Sequence, residues 1–429
     1  MNRKKRIVVT GMSISTPLGN TLNEVLENLF LGKSAITKLD PHLSSEIDCK
    51  ITGNLLSYDF DSEIKCLEKN IPEQTYLKMN KFLKIAPWST CISSLLGVKA
   101  WNDAGLFDYC IPPEKIGSIA AGHNINMGYI FKNDAQFKTT PHFIDPFYSL
   151  HVLDTDHAAT ISELIQARGA TYTSGSACAS GNTALRSAID EIRYHNLKVA
   201  IVTGPVFDYS QVVLHSLALM GAISTKKFND TPSKASRPFD RDREGFVPSH
   251  GGGALVIESL DCALNRGARI YAEIIGVEVT SDASHLPQPS ENGQIAVLKK
   301  IFKKTKVYPE QIDFISAHAT STPLGDLTEV RAIQKFFGTH TKKIKINAPK
   351  SLLGHTLWSS AIVETIVAIL QMKAGKLHPS INIENLDPKI DLDICTHTET
   401  HHPINYLLKN SFGFGGINSA CIIRSELAI

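Results

Sequence analysis

At two places along the chain a short β-rich run ends in small or polar residues, a reactive side chain stands there, and a helical pattern begins. The first is Ala170-Thr171-Tyr172-Thr173, followed by Ser174-Gly175-Ser176-Ala177 and then Cys178. The second is residues 313–317, which deliver His318 ahead of a helix over residues 324–337. A strand–turn–helix unit buries its strand and leaves the turn free to carry chemistry. Its repetition predicts a duplicated α/β body with a sheet layered by helices.

The rest of the pattern fits that scheme. Ile7-Val8-Val9-Thr10-Gly11 reads as a buried strand, and a helix over residues 22–31 is capped by Asn20 or Thr21. Residues 54–146 are polar and interrupted, and read as helices and loops inserted between core strands. A helix running from Cys178 to about His195 gathers Leu185, Ala188, Ile189 and Ile192 on one face. Residues 199–203, 253–258, 269–279 and 343–347 read as strands, with a helix over 260–265 between the second and third. The last strand leads through Lys350 to His355 and a long helix over residues 356–373. Residues 407–410 and 419–423 flank the turn Ser411-Phe412-Gly413-Phe414-Gly415-Gly416. The expected division is residues 1–260, carrying the cysteine and an inserted cap or interface segment, and residues 261–429, carrying both histidines.

With 429 residues, 43% of them hydrophobic, the chain can bury a large core. A formal net charge of +2 gives no global electrostatic argument for binding nucleic acid or a membrane. No run approaching eighteen apolar residues is evident, and the basic residues 1–6 precede too short an apolar stretch for an export signal. The eight cysteines are dispersed, with no C-x-x-C pair and no histidine at zinc-ligand spacing, so they read as the reduced thiols of a cytoplasmic chain without a metal.

Cys178 stands at the expected N-terminus of a helix, whose unpaired N–H groups and positive dipole end favour a thiolate. The small residues before it leave room for a substrate, and Ala179-Ser180-Gly181 keeps the first helical turn narrow enough for another backbone to approach. On local context a reactive thiolate and a buried structural cysteine are equally compatible. His318 opens a hydroxyl-rich loop. His355 is expected at a helix start, where the dipole disfavours imidazolium and leaves a neutral ring donating from Nε2. His123, His142, His151 and His157 lie in a less regular stretch and read as incidental, and His401-His402 as a solvated loop. Gly413-Phe414-Gly415-Gly416 lacks the Lys-Ser/Thr of a phosphate loop, and reads instead as a tight turn placing a backbone N–H and an aromatic ring at a site. Asp282, Glu329 and Lys350 read either as buried charges paired with one another or with the histidines, or as surface salt bridges.

Taken together, Ser176-Ala177-Cys178-Ala179-Ser180-Gly181, the stretch from His318 to Asp326, the stretch from Lys350 to His355 and the stretch from Asn410 to Asn418 resemble, in order and spacing, the β-ketoacyl-acyl-carrier-protein synthases. Residues 5–12 with Pro17-Leu18-Gly19, and residues 236–240 with Glu244-Gly245-Phe246, extend the resemblance over essentially the whole chain. It implies a thiolase fold of duplicated αβαβα layers. It also implies a homodimer, with a heterodimer with a related subunit as the alternative. By the same resemblance Cys178 is the nucleophile, His318 and His355 the histidine pair, and Lys350 and Glu329 their electrostatic support. The N–H groups of Cys178 and Phe414 form an oxyanion hole, with Phe414 as gate. Thr320, Thr322, Phe412 and Trp358 contact substrate, and Asp282, His285 and Asp326 sit around the gating loops. The implied partner is an acyl carrier protein bearing substrates on phosphopantetheine, and no separate cofactor is implied.

Some positions depart from the family pattern. Ala319 stands where a glycine usually follows the first histidine, and Trp358 where the elongating fatty-acid enzymes carry a small residue. Ser249-His250-Gly251, Ala121-Gly122-His123-Asn124 and Ile417 also differ. They lie around the expected pocket and point to an acyl group other than an ordinary fatty chain, in the manner of free-standing polyketide-pathway synthases. Two alternatives to condensation are a malonyl-carrier-protein decarboxylase or acyltransferase of a polyketide β-branching cassette, and a non-catalytic partner subunit. Relatives that only decarboxylate, and non-catalytic partner subunits, usually lack the cysteine that is present here, whereas an acyltransferase would reuse Cys178.

Overall fold

The computed structural model describes residues 5–398 and 401–425, so residues 1–4 of the basic amino-terminal segment lie outside the described residues. The strands are β1 (Ile7–Ser15), β2 (Thr37–Lys38), β3 (Ile51–Thr52), β4 (Ile116–Ala121), β5 (Thr171–Ser174), β6 (Val199–Gly204), β7 (Gly252–Ser259), β8 (Ala272–Ser281), β9 (Phe314–Ser316), β10 (Lys345–Asn347), β11 (Tyr406–Gly413) and β12 (Ile417–Arg424). Ten of them form one sheet in the order β10-β9-β11-β12-β8-β1-β7-β6-β4-β5.

That order is one five-strand plan used twice. β4 pairs in parallel with β5 and β6, β6 runs antiparallel to β7, and β7 antiparallel to β1. In the second half β9 pairs in parallel with β10 and β11, β11 runs antiparallel to β12, and β12 antiparallel to β8. The halves join where Ile7, Val8 and Val9 face Ile274, Glu273 and Ala272.

Both faces of the sheet are covered, which is why its strands read as continuous apolar runs. In β7, Leu255 and Ile257 face the central core with the helices Ser180–Tyr194 and Ser360–Ala374, while Ala254 and Val256 face the helices Trp88–Asp103 and Thr155–Ile165. On the other half, Glu291–Thr305 and Pro323–Phe337 pack against β8, β9 and β12. Ser180–Tyr194 and Ser360–Ala374 contact strands of both five-strand halves, so the one sheet is layered with helices on either side.

Residues 54–146 are more than an insertion. They contain β4, paired on both sides inside the sheet, and the helix Trp88–Asp103, buried along nearly its whole length. β4 is obscured in the sequence by its small residues, which the fold needs: a Cβ on Gly117 would come within 2.6 Å of Leu197 and 3.1 Å of the Ala170 carbonyl. The long helix expected over 356–373 is also interrupted, by a single 3-10 turn at Leu357–Ser359 before Ser360–Ala374 begins. Leu357–Ala374 has the length and mean hydropathy (1.3) of a membrane-crossing stretch, although Glu364, Gln371 and Lys373 interrupt its apolar residues, and 83% of it is buried inside the protein.

Candidate active site

The ends of β5, β9 and β11 converge on one cavity of about 220 Å³. Cys178 follows β5 through a tight corner in which Ala177 adopts φ +47°, a left-handed conformation that a residue with a Cβ visits only under constraint. The Ser180 hydroxyl holds that corner, accepting from the Ser176 N–H at 2.8 Å and donating to the Ala177 carbonyl at 2.6 Å. β11 closes in from the other side: a Cβ on Gly413 would meet the Ser176 carbonyl at 2.7 Å and the Cys178 nitrogen at 3.3 Å. The narrow first turn expected at Gly181 is present, since a Cβ there would meet Ala361 and Ile362 at 2.8 Å.

The Cys178 sulfur lies 3.2 Å from Nε2 of His355. Nδ1 of His355 accepts the Leu357 N–H at 3.2 Å, so the ring proton belongs on Nε2, facing the sulfur. Its backbone is clamped by Val247 and Ser249. The long helix starts only at Ser360, so the expected dipole argument for a neutral His355 is replaced by another. Burial first, then Lys350 and Lys409, push its pKa far down. His318 is held neutral in the same way, by burial, Lys350, His355 and Lys409. The Lys350 ammonium stands 3.3 Å from His318 Nδ1, which leaves Nε2 of that ring protonated as well. The two rings are 5.6 Å apart and nearly perpendicular, and both line the cavity with Cys178.

The thiol does not behave as its position at a helix start suggested. Burial raises its pKa to about 12, while Lys350 and the N–H groups of Cys178 and Phe414 pull the other way. Those two N–H groups both approach the Cys178 sulfur as hydrogen-bond donors.

Lys350 and Glu329 both contact His318, one at Nδ1 and the other at its backbone N–H, but not each other. Lys350 forms its ion pair with Glu364, a residue unread in the sequence, and Lys409 approaches the other oxygen of Glu364 at 3.7 Å. Glu329 instead accepts the N–H groups of His318 (2.9 Å) and Ala319 (2.8 Å) and the Asn410 amide (3.0 Å), which fixes the loop carrying His318. Asp326, fully buried, accepts the N–H groups of Phe239 and Ser321 with Arg243 at 3.7 Å. Burial raises its pKa to about 6 against the pull of Arg243.

Thr320, Thr322, Phe412, Phe414 and Asp282 line the cavity, with Phe412 5.6 Å from the His318 ring and the two threonine hydroxyls 3.1 Å apart. Asp282 accepts from Asn418 at 2.7 Å. His285 is exposed and outside the cavity lining. Trp358 is also outside that lining: it stacks on His123 at 4.4 Å and meets Phe207 edge-on at 5.3 Å, in a cluster that includes Phe414. His123 is therefore a partner of Trp358 and not incidental.

Residues 4–263 match the family model described as the N-terminal domain of β-ketoacyl synthase, and residues 271–384 match its C-terminal domain. The chain is 32% identical over 98% of its length to 3-oxoacyl-[acyl-carrier-protein] synthase 2 of Coxiella burnetii, covering 98% of that protein. It is equally 32% identical over 98% of its length to the polyketide biosynthesis malonyl-ACP decarboxylase PksF of Bacillus subtilis, covering 96% of it. Among solved structures, a type II PKS ketosynthase in complex with its acyl-carrier protein and bound to the hexaketide aligns with a TM-score of 0.85 at 25% identity, over 99% of this chain and all of that one.

Proposed function

The chain belongs to the β-ketoacyl synthase family, and from that premise we propose that it joins an acyl group held on Cys178 to a malonyl unit carried by an acyl carrier protein. The observation that carries this reading is the Cys178 sulfur 3.2 Å from a neutral His355, with His318 beside it on a shared cavity.

In the first half-reaction the Cys178 sulfur attacks the carbonyl of an acyl thioester, with the oxyanion received by the N–H groups of Cys178 and Phe414. The carrier thiol leaves with the proton that the cysteine gives up. In the second, malonyl thioester loses carbon dioxide, and its enolate oxygen is stabilised by the Nε2–H groups of His318 and His355. Neutral rings donate hydrogen bonds without supplying an acidic proton to quench the carbanion. The enolate carbon then bonds to the acyl carbon, the C–S bond to Cys178 breaks, and the sulfur takes up one proton from solvent. The product is a β-ketoacyl thioester on the carrier. Lys350 orients His318, and Glu329 holds the backbone of the His318 loop. Thr320, Thr322 and Phe412 line the approach for the phosphopantetheine arm, and no other cofactor enters the scheme.

We propose a homodimer as the working form. The exposed apolar residues Phe131, Phe137, Phe143, Phe147, Leu150 and Leu153, gathered within one short segment, support a covered surface there.

A second reading is favoured by the relative named as a malonyl-ACP decarboxylase: release of carbon dioxide without carbon–carbon bond formation. Incubation with acyl-carrier protein and malonyl-carrier protein, followed by intact mass, separates the two. A β-ketoacyl product on the carrier is the expected result. Acetyl-carrier protein as sole product replaces condensation by the second reading, and an inert protein removes both.

A further inference from the structure

Lys409 has no part in the steps above, yet it is wholly buried in the middle of a core strand. An ammonium withdrawn from water in this way is unfavourable unless its charge is used or neutralised. Its surroundings do not neutralise it. From the helix Ser360–Ala374, Glu364 offers one carboxylate oxygen at 3.7 Å, but the other oxygen is taken by Lys350. On its own strand Lys409 donates to the Ser411 hydroxyl. Across the sheet it faces Cys421 on β12 and Ser316 on β9, both uncharged at neutral pH, since burial beside Lys409 still leaves the Cys421 thiol at about 12. Two ammonium groups therefore share the Glu364 carboxylate directly behind the histidine pair, and these three carry a net positive charge, while the neighbouring Glu329, which also feels Lys350, is held by the N–H groups of His318 and Ala319 and the Asn410 amide.

We propose that Lys409 is a positioning residue for the condensing site: it keeps the Lys350–Glu364 cluster net positive and so adds to burial in opposing protonation of His318 and His355. Without it the lysine–glutamate pair would cancel, and less would oppose proton uptake by the rings. Both histidines feel Lys409 as well as Lys350, and Lys409 itself is lowered to about 8, chiefly by burial and then by Lys350 against the pull of Glu364. The charge is thus present at neutral pH and is lost as the pH rises past about 8. This inference rests on the ketosynthase reading of the site, and its test is chosen to stand apart from turnover.

The test follows carbethoxylation of His318 and His355 by diethylpyrocarbonate, which attacks unprotonated imidazole, residue by residue by mass spectrometry across a pH series. Both rings line the cavity, which is the route by which the reagent must reach them. In Lys409→Met and Lys409→Gln the pH at which both rings lose reactivity should rise by about one unit, a tenfold gain in proton affinity. Unchanged midpoints in a folded variant overturn the proposal. Lys409→Arg supplies a second readout, rescue by a conserved charge. An arginine keeps its charge, so Lys409→Arg should leave both carbethoxylation midpoints, and the rate of malonyl decarboxylation, where they are in the unaltered protein, and midpoints shifted as in Lys409→Met overturn the proposal. Absence of all decarboxylation, with shifted carbethoxylation midpoints, would sink the ketosynthase reading and leave the role of Lys409 standing.

Discussion

Nδ1 of His355 accepts the backbone N–H of Leu357 at 3.2 Å, and this one contact decides which ring nitrogen carries the proton towards Cys178. If that Nε2–H stabilises the enolate, His355→Ala should slow malonyl decarboxylation by about 10²–10³-fold, as loss of one oxyanion donor does elsewhere. His355→Gln places an amide N–H near the same point and should fall between the two. Initial rates of carbon dioxide release decide it. Equal rates for Ala and Gln would mean the donor is not what matters.

Glu329 makes a different demand, on geometry. Each of its oxygens receives a backbone N–H, one from His318 and one from Ala319. Glu329→Gln keeps one acceptor and turns the other into a donor facing an N–H, so the His318 loop must shift. We expect roughly a tenfold or greater loss in decarboxylation with acyl loading of Cys178 largely retained, on the scale of a single buried charge-assisted hydrogen bond. Measured side by side, equal losses in both half-reactions would contradict a role confined to His318.

How much of this could be read before the structure depends on what each residue's neighbours in sequence disclose. Cys178, His318 and His355 are legible because each ends a run of strand or turn residues. Trp88–Asp103 is not, because a helix buried on all sides has no polar face to set a period, and its serines bond back to their own helix, Ser93 to Ser89 and Ser94 to Thr90. Glu364 and Lys409 are hidden for a related reason. A single charge in a buried helix or strand resembles a surface position until the fold brings Lys350 to it. The balance at the thiol stayed open in the sequence because a helix dipole can be read along the chain, while the desolvation that outweighs it arises only from packing.

Protonation also links the site's surroundings to stability. His250 is buried, stacked on Tyr209 at 4.3 Å, and accepts the Leu55 N–H at Nδ1. Burial lowers its pKa from 6.5 to about 3. Because the folded value is the lower one, its stabilising contribution is complete above pH 6.5 and is lost as the pH falls from there towards 3. His250→Asn keeps an acceptor for Leu55 but removes the titration. Its stability relative to the unaltered protein should improve by about 2 kcal/mol between pH 7.5 and pH 5, from roughly 1.4 kcal/mol per unit below 6.5. Denaturant midpoints at the two pH values measure this, and a parallel loss in both proteins would refute it.

Cys178→Ala separates the two half-reactions. The sulfur is needed to hold the acyl group, whereas decarboxylation draws on the histidines. Acyl loading should vanish by intact mass while malonyl decarboxylation persists. Retained loading would show that the nucleophile is misassigned.

The last expectation concerns the acyl group. Trp358 fills space that a smaller residue would leave open, packed between His123 and Phe207 in the cluster that holds Phe414. With Phe414 as the gate that the family resemblance implies, this aromatic wall would favour short acyl groups, because a long chain passing Phe414 would have to displace a stacked ring. Trp358→Gly removes the wall and should extend loading of Cys178 to longer acyl groups. The cavity it leaves costs about 3 kcal/mol or more in stability, so loading is compared only under conditions where the variant is folded. A series of acyl-carrier proteins bearing chains of increasing length, scored by intact mass, gives the profile for each protein. Identical profiles would mean that Trp358 is a packing residue and that chain length is set elsewhere.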